Sequence, residues 1–365
     1  MNEEHADFAE RLWYSHAPLA RAARAALAPA SLLFAGAAGL RDAAWRLGLA
    51  RPERAPAPVV SVGSLRVGGA GKTPFVAWLV AALHARSLAP CIVTRGYASD
   101  ASSAQPFVLD RQSACAPQAA ARAGDEATML ALRTGVPVAV GSNRLAACRL
   151  AARSFPLDVF VLDDGFQHRA LARDIDIVLV TGNEASERLL PAGPLRESVA
   201  ALARASVVIQ VEDGSGPRGQ ATTAARARAR TRPVSLVSDV AAPGGDDVSS
   251  LRGRRVVAVA AIARPARFLA CLRTSGAEIV HTVLRRDHYR FGDADRREIE
   301  EASAGADLVV TTEKDLVKLG APPGGEGPTR GARPLVALRI AMELDEENAL
   351  VDRIVETIAA AGRGA

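Results

Sequence analysis

The sequence is poor in aromatic residues and in cysteine, and each scarcity argues against a class of protein. Only 4% of the 365 residues are aromatic. Without base-stacking aromatics among its arginines, and without helix-turn-helix or zinc-finger spacing, the chain is not expected to bind nucleic acid. The four cysteines have no CxxC spacing, which argues against a zinc site and a disulfide framework. This usage is typical of a reducing, cytosolic compartment.

Lysine is scarce as well, although the chain is basic. Of 45 basic residues only Lys72, Lys314 and Lys318 are lysine. Because the chain otherwise uses arginine, these positions indicate sites that need a compact ammonium rather than a planar guanidinium; chance use of a rare residue is the alternative. The net charge of +5 suits an anionic partner, such as a phosphorylated or membrane-bound substrate.

The sequence also lacks an apolar run long enough to span a membrane. The run AALAPASLLFAGAAGL is shorter than the roughly 20 residues that a spanning helix needs. Trp13, Tyr14 and Trp45 flank it together with several arginines, a mixture typical of a helix in the lipid headgroup layer. We therefore expect an interfacial helical segment over residues 1–50; a helical hairpin packed on a domain is the alternative.

From residue 51 onward, short runs rich in β-branched residues alternate with Ala/Leu-rich segments of helical period. This alternation predicts an α/β fold, a parallel sheet of P-loop NTPase type with helices on both faces. Residues 212–250 have little apolar periodicity and indicate an interdomain segment. We expect a P-loop kinase domain over 51–240 and a smaller α/β domain with a C-terminal helix over 241–365. The predicted strands are Val59–Val62, Ile92–Thr94, Val136–Val140, Val159–Leu162, Ile175–Val180, Val207–Val211, Val256–Ala261, Ile279–Val283, Leu308–Thr311 and Leu335–Ile340.

The strongest motif is a glycine-rich loop between a predicted strand and a predicted helix, VVSVGSLRVGGAGKTPFVAW. Glycines let backbone N–H groups converge on phosphate oxygens, and the helix N-terminus adds positive charge. Lys72 would reach the β- and γ-phosphates and Thr73 would hold Mg²⁺. The strict GxxxxGK[ST] pattern is not met, because Arg66 stands at its first glycine. The predicted nucleotide-binding residues are Gly68, Gly69, Ala70, Gly71, Lys72 and Thr73.

Two carboxylates, Asp163 and Asp164, follow the apolar run VFVL directly. In open α/β sheets the carboxyl ends of the strands form the ligand-binding edge. One of these carboxylates would hold the Mg²⁺ of a nucleotide, and helix capping or turn formation is the alternative role.

Seven motifs occur in the order found in tetraacyldisaccharide 4'-kinases: GGAGKTP, TRGY, GDE, DDGFQH, RLLPAGPLRE, DHYRF and TTEKD. They span positions 68 to 315, and WYSHAPLA resembles that family's membrane-docking segment. The sequence therefore resembles this family. The resemblance implies a kinase of lipid A synthesis that uses ATP and Mg²⁺ to phosphorylate the 4'-hydroxyl of a tetraacylated glucosamine disaccharide 1-phosphate. It also implies a peripheral protein on the cytoplasmic side of the bacterial inner membrane.

The resemblance assigns catalysis to Asp125 in Gly-Asp-Glu and to His288 in Asp-His-Tyr; Lys72 joins them as a catalytic residue through the phosphate contacts expected of the loop. A histidine hydrogen-bonded to a carboxylate orients it and adjusts its basicity. Because His288 falls in the predicted second domain, domain closure would complete the site. A helix N-cap is the alternative role for Asp125.

The resemblance implies further roles. Glu197 would be a magnesium ligand, with an ordinary first-turn glutamate as the alternative. Apart from the resemblance, TTEKD follows the apolar run Leu308-Val309-Val310, where a nucleotide-base reader could lie, so it is expected to contact adenine or a hinge, with a helix-starting turn as the alternative. The residues expected to grip the sugar phosphate, or else to be solvated surface groups, are Arg95, Tyr97, Arg144, His168, Arg169 and Arg196.

The sequence departs from the family pattern at Ser64, Ala98, Ala127 and Tyr289. These changes spare the proposed functional side chains but leave the shapes of the loops around the substrate open. Two rival functions also stay open at this stage. One is a nucleotide-switch or metallochaperone-type P-loop protein, which the absence of an NKxD motif disfavours. The other is a soluble small-molecule kinase.

Overall fold

The computed structural model describes residues 8–96, 105–116, 118–212, 227–242, 244–319 and 333–362. The α-helices of this part are α1 Phe8–Tyr14, α2 Pro18–Ala26, α3 Ala28–Arg46, α4 Lys72–Ala85, α5 Arg111–Ala114, α6 Ala119–Ala123, α7 Asp125–Thr134, α8 Arg144–Ser154, α9 Pro265–Thr274, α10 Asp293–Ala302, α11 Glu313–Leu319 and α12 Glu347–Gly362. Its strands are β1 Val59–Ser64, β2 Pro90–Thr94, β3 Phe107–Leu109, β4 Val138–Val140, β5 Val159–Asp163, β6 Ile175–Val180, β7 Val207–Glu212, β8 Ala227–Val237, β9 Asp246–Asp247, β10 Arg255–Ala260, β11 Glu278–Leu284, β12 Leu308–Thr312 and β13 Leu335–Leu344. Short 3₁₀ helices cover Glu184–Ser186, Val199–Arg204, Val248–Leu251 and Ser303–Gly305.

The described chain divides into two compact units that are interleaved in sequence. The glycine-loop unit contains residues 8–94, 143–231 and 342–362 as far as they are described. The Asp125 unit contains the described parts of 95–142 and 232–341. This division differs from the contiguous one expected at residues 50 and 240. Helix α12 contacts α4 in the glycine-loop unit, although the sequence suggested that it belongs to the second domain.

The glycine-loop unit is built on a parallel sheet with the strand order β8–β7–β6–β1–β5–β2. Its central strand β1 is buried along its whole length, as expected for a strand covered on both faces. Helix α4 is apolar on most sides and buries Phe75, Leu79 and Leu83. The sheet order places β1 and β5 side by side, so the segments that follow them leave the same edge.

The Asp125 unit contains a four-stranded parallel stretch of sheet, ordered β11–β10–β12–β13. Alternate residues of β10 enter two different apolar clusters. Val256 and Ala258 pack in the cluster that includes Phe268 of α9, whereas Val257 packs in the cluster that includes Ile299 of α10. Because successive side chains of a strand point to opposite faces, helices cover both faces of this sheet. The antiparallel pair β3–β4 lies in the same unit.

The predicted α/β class is confirmed and each of the ten predicted strands overlaps an observed one, but β3, β8 and β9 were not predicted, and β8 corrects the interdomain assignment. Residues 227–237 were expected to belong to an interdomain segment, but they form β8, which pairs with β7 in parallel. Arginines alternate with smaller residues in ARARTR, and an amphipathic strand of this kind has little apolar content. The period of two in this alternation was the sequence pattern that could have predicted β8.

The N-terminal helices combine a packed face with an exposed apolar face. Ser31 of α3 donates to Leu189 O at 3.0 Å, and Trp13 Nε1 donates to Pro191 O at 3.0 Å. Leu32, Leu33 and other large apolar side chains of this region are more than 70% exposed. No single described helix is long and apolar enough to cross a membrane; α2 and α3 meet that requirement only as a pair bent by 45°.

Candidate active site

The glycine loop connects β1 directly to α4, so the first turn of the helix adjoins the loop. Gly68, Gly69 and Gly71 have φ values of +66°, +66° and +76°, and L side chains rarely adopt this conformation. Gly71 caps α4, whose first turn contains no acidic residue to neutralise its N–H groups. The local structure is therefore a phosphate-binding loop in conformation, although Arg66 replaces the first glycine of the strict motif.

Lys72 and Asp164 form the charged centre of this loop. The Lys72 Nζ atom lies 2.8 Å from Asp164 Oδ1 and 3.3 Å from Ser64 Oγ. Arg196 donates to the other carboxylate oxygen of Asp164 at 2.7 Å. Burial opposes ionisation of Asp164, but the charges of Lys72 and Arg196 outweigh it and lower the pKa to about 2. Asp164 is therefore a permanent anion beside the loop lysine.

Close packing between β1 and the segment after β5 places Asp164 beside Lys72. Asp164 has a φ of +53°, a strained conformation for a residue other than glycine. Gly165 N donates to Val62 O at 3.0 Å, and a Cβ atom on Gly63 would lie 2.4 Å from Phe166 Cβ. The glycine at position 63 therefore allows the acidic turn to approach β1. Asp163, the last residue of β5, is buried.

The Asp125 unit brings Asp125 and His288 together, although 162 residues separate them in the chain. The His288 Nδ1 atom lies 3.2 Å from both carboxylate oxygens of Asp125. Asp125 is the first residue of α7, after Gly124 at the N-cap, so it does not occupy the cap position itself. Both residues lie in one compact unit, so the expected domain boundary does not separate them. His288 has a φ of +58°, the second strained residue at a predicted site.

The environment of this pair shifts both pKa values. Burial raises the pKa of Asp125. The hydrogen bond to His288 and the charges of Lys314 and Lys318 lower this pKa by more than burial raises it, so that it falls to about 2. For His288, burial and Lys314 lower the pKa, while Asp125 and Asp287 raise it, and the net direction is upward. Asp125 is ionised at any physiological pH.

The two lysines for which the sequence indicated only a need for a compact ammonium, Lys314 and Lys318, lie beside Asp125. The Lys314 Nζ atom is 3.7 Å from Asp125 Oδ2, and the Lys318 Nζ atom is 3.6 Å from the same oxygen. Lys314 also contacts Asp287 at 2.8 Å and Glu126 at 3.5 Å. All three lysines of the chain therefore pair with carboxylates of predicted sites, and the scarcity of lysine was the sequence signal for them.

The remaining residues of TTEKD have structural partners. Glu313 pairs with Arg339 at 2.7 Å and with Arg133 at 2.8 Å, and is buried. Asp315 accepts hydrogen bonds from Ala261 N at 2.9 Å and from Thr312 Oγ1 at 2.8 Å. The motif therefore fixes α11 so that its lysines reach Asp125. The expected contact with adenine or a hinge stays a prediction.

Glu197, predicted as a magnesium ligand, is held by arginines. Its carboxylate oxygens lie 2.7 Å from Arg204 Nη2 and 3.5 Å from Arg41 Nη2. Among the residues that the structure describes, no group of three or more His, Cys, Asp or Glu side chains is arranged to hold a metal. The predicted metal ligands Thr73, Asp163, Asp164 and Glu197 thus form no preassembled carboxylate cage.

The predicted sugar-phosphate residues occupy different environments. Arg196 is engaged with Asp164, as described above. Arg169 pairs with Asp42 of α3 at 2.5 Å and stacks over Trp45. Arg144 is buried at the first position of α8, Arg95 is exposed after β2, and His168 is half-buried. Tyr97 lies outside the described residues.

Comparisons with known proteins identify the family of the chain. The family model of tetraacyldisaccharide-1-P 4'-kinase matches residues 23–359. The chain belongs to the tetraacyldisaccharide-1-P 4'-kinase family. It is 41% identical over 327 residues to the tetraacyldisaccharide 4'-kinase of Anaeromyxobacter dehalogenans strain 2CP-C, with 85% of each chain covered. It is 40% identical over 314 residues to the tetraacyldisaccharide 4'-kinase of Aeromonas hydrophila, covering 85% of this chain and 86% of the relative.

A solved structure supports the fold of the kinase family as well. The structure of the Aquifex aeolicus relative, described as an apo form in complex with ATP, matches with a TM-score of 0.77 at 29% identity. The match covers 92% of this chain and 99% of that one. Neither a nucleotide-switch protein nor a soluble small-molecule kinase is favoured by these relatives.

Proposed function

We infer that this kinase transfers the γ-phosphate of ATP to the 4'-hydroxyl of a tetraacylated glucosamine disaccharide 1-phosphate, a step of lipid A synthesis. The family and its named members support the reaction. The observation that carries it is the Lys72–Asp164 ion pair, 2.8 Å long, at the N-terminus of α4 behind a loop of left-handed glycines. Such a loop binds phosphate by its N–H groups, and its lysine stabilises charge on the β- and γ-phosphates.

Asp125 is the proposed acceptor of the hydroxyl proton, with His288 as its orienting partner. A sugar hydroxyl is a weak nucleophile, so a positioned base favours its attack. An anion with a pKa near 2 is a weak base, but phosphoryl transfer through a loose transition state asks mainly for orientation and late proton transfer. The short contacts from His288 to both carboxylate oxygens support that orienting role.

The residues at the glycine loop fit magnesium. Mg²⁺ favours hard oxygen ligands and is commonly held by one or two carboxylates together with substrate phosphates, so no larger carboxylate cage is required. Thr73 and Asp164 would hold the ion, which would neutralise charge on the transferred phosphoryl group. Asp163 and Glu197 are the further candidate ligands, and the arginines on Glu197 would have to release it first.

The acidic substrate would be gripped by basic side chains. Arginine binds phosphate with two parallel hydrogen bonds, which suits the 1-phosphate of the disaccharide. Arg95 is exposed and needs no rearrangement, whereas Arg169 and Arg196 would have to exchange Asp42 and Asp164 for the ligand. Arg144, His168 and Tyr97 complete the proposed set.

The N-terminal helices would hold the enzyme on the cytoplasmic side of the bacterial inner membrane. An exposed apolar face on helices whose other face is packed fits a peripheral, interfacial anchor. Exposure of Leu19 at 82%, Leu33 at 77% and Leu40 at 76% supports this placement. An acylated substrate would be reached from the same surface.

Phosphate transfer tests the proposal directly. Purified protein, γ-labelled ATP, Mg²⁺ and the disaccharide 1-phosphate in detergent micelles should yield a labelled lipid whose phosphate is at the 4'-position. Omission of the lipid, and a de-4'-hydroxy lipid, are the controls. Labelling of the 1-phosphate, or ATP hydrolysis without lipid labelling, would contradict the proposed function.

A further inference from the structure

Arg66, which stands in place of the first glycine of the strict phosphate-loop motif, has a buried guanidinium. The residue is only 2% exposed. Its Nη1 atom donates to Thr181 Oγ1 at 2.8 Å, and its Nη2 atom lies 3.0 Å from Glu187 Oε1. Nη2 also donates to the hydroxyl of Tyr14 in α1. The guanidinium is therefore directed into the protein, and a phosphate could reach it only after these contacts were broken.

The main chain at Arg66 is fixed against the segment that carries Arg196. Arg66 forms an antiparallel bridge with Leu195, and Arg196 N donates to Leu65 O at 2.7 Å. The side chain of Arg196 donates to Asp164, the partner of the loop lysine, at 2.7 Å. The start of the glycine loop and the segment that contacts Asp164 are thus held to each other.

A hydrogen-bond chain links the Arg66 carbonyl to the loop lysine. The Lys72 Nζ atom lies 3.3 Å from Ser64 Oγ, and Ser64 Oγ donates to Arg66 O at 2.9 Å. An ammonium only donates hydrogen bonds, whereas a hydroxyl can accept one and donate another. The position of the Arg66 carbonyl therefore sets the direction of the Ser64 hydroxyl that accepts from Lys72.

We propose that Arg66 is a positioning residue for nucleotide binding: its buried ion pair with Glu187 holds the start of the glycine loop, and with it the Lys72 ammonium, in the arrangement that binds the phosphates of ATP. This role rests on the kinase function proposed above. The backbone at Arg66 does not have the left-handed conformation that favours glycine. An arginine fits there because its planar fork can donate to several partners at once, which a glycine cannot do.

Stability and positioning can be separated at this ion pair. Removal of one partner of a buried ion pair leaves the other charge without its counter-charge and destabilises the fold, whereas replacement of both by apolar residues is often neutral. Arg66→Met should therefore lower the Tm, and Arg66→Met/Glu187→Met should recover much of the loss. Because methionine cannot anchor the loop, a positioning role requires the ATP affinity to stay low in both variants.

The first experiment measures the Kd for ATP by calorimetry and the Tm by thermal unfolding. Arg66→Met and the double variant should both raise the Kd by about tenfold, as expected for a small displacement of phosphate-binding groups. Arg66→Lys keeps the charge but not the fork, so it should raise the Kd less. Arg86→Met is the matched control, because it removes an exposed arginine that pairs with Asp352 at the far end of α4. Its Kd should equal that of the unsubstituted protein.

The second experiment identifies the part of the nucleotide that is affected. The glycine loop and its lysine contact the β- and γ-phosphates, which AMP lacks. In competition with a fluorescent ATP analogue, Arg66→Met should weaken the binding of ATP and leave the binding of AMP unchanged. A general loss of fold would weaken both nucleotides.

The results that would overturn the proposal are distinct. One is an unchanged Kd for ATP in folded Arg66→Met or, if that variant does not fold, in the double variant. Another is recovery of the Kd together with the Tm in the double variant, because Arg66 would then only stabilise the fold; equal weakening of ATP and AMP would have the same meaning. An unsubstituted protein that does not bind ATP would contradict the proposed function as well, whereas an active kinase with an unchanged Kd in these variants would contradict this role alone.

Discussion

Lys72 is paired with Asp164 across 2.8 Å, and Arg196 occupies the second oxygen of the same carboxylate. The loop lysine is therefore stabilised by a protein anion, which ATP phosphates would replace. The carboxylate of Asp164 thus positions the Lys72 ammonium before ATP binds.

We predict that Lys72→Ala abolishes phosphate transfer and weakens ATP binding, because the charge that the phosphates would meet is lost. Lys72→Arg should recover little, since a planar fork does not replace a point charge in a tight loop. Isothermal calorimetry with ATP and the labelled-lipid assay measure the two effects. Arg153→Ala, an exposed arginine at the end of α8, is the matched control. ATP affinity equal to that of the unsubstituted protein would remove Lys72 from the nucleotide site.

The second prediction distinguishes the roles of the two adjacent aspartates, Asp163 and Asp164. Asp164→Asn should lower kcat and raise the Mg²⁺ concentration needed for half-maximal rate, because the turn that holds Asp164 faces Lys72. Asp163 is the last residue of β5, and neighbouring residues of an extended strand point to opposite faces. Asp163→Asn should therefore change the Mg²⁺ requirement less.

Titration of Mg²⁺ at saturating ATP and lipid distinguishes these cases. Partial recovery of Asp164→Asn at high Mg²⁺ is the expected result. If kcat falls while the Mg²⁺ requirement stays constant, Asp164 acts only as the partner of Lys72 and Arg196, and the ion is held elsewhere.

The third prediction treats Asp125 and His288 as one unit. Asp125→Asn should lower kcat by about 10²–10⁴-fold with little change in the KM for ATP, as expected for loss of a general base. If His288 acts by orienting Asp125, the double variant Asp125→Asn/His288→Gln should be scarcely worse than Asp125→Asn alone. Steady-state kinetics on the four proteins measure the coupling.

His281→Gln serves as the control for this cycle, since His281 is an exposed histidine on β11 in the same unit. Its kcat should equal that of the unsubstituted protein. Multiplicative losses in the double variant would show that His288 acts independently of Asp125, for instance on the substrate itself.

The sequence predicted most of the strands because burial on both faces of a parallel sheet demands continuous β-branched runs. β1, β5 and β6 are of this kind and are buried throughout. β8 is not, since its arginines alternate with small residues and its partly exposed face needs little apolar surface. The interleaving of the two units was also invisible, because it depends on which strands pair, and pairing is not encoded in local periodicity.

At the site, the sequence located the groups and the Asp125–His288 pair, but not the other partners. Motif spacing identified Lys72 and Asp164, the family resemblance identified Asp125 and His288, and the structure pairs them two by two. The approach of Lys314 to His288 depends on how α11 is fixed by the contacts of Glu313 and Asp315, which are long-range. Likewise, Glu197 has the residue type of a magnesium ligand, but its arginine partners could be seen only in the folded chain.

The fourth prediction concerns the exposed face of α3. Changing Leu32, Leu33 and Leu40 to glutamine removes apolar area from water-exposed positions, so the fold should be retained while membrane affinity falls. Each buried leucine side chain contributes about 1.5–3 kcal/mol on transfer from water, so loss of three should lower partitioning into vesicles by well over tenfold. Co-sedimentation with vesicles of mixed neutral and anionic lipid measures the effect.

The packed face of α3 provides the contrast. Ser31→Ala removes the hydroxyl that donates to Leu189 O and accepts from Ala192 N, contacts that hold the helix on its own unit rather than on lipid. This variant should lose stability and keep its vesicle affinity, whereas the glutamine variant should lose vesicle affinity and keep its ATP affinity. The two faces are opposed on one helix. For a packed hairpin without membrane contact, the leucine substitutions would leave the vesicle affinity unchanged. Unchanged co-sedimentation of the glutamine variant, with ATP affinity retained, would therefore establish the hairpin and rule out the interfacial anchor.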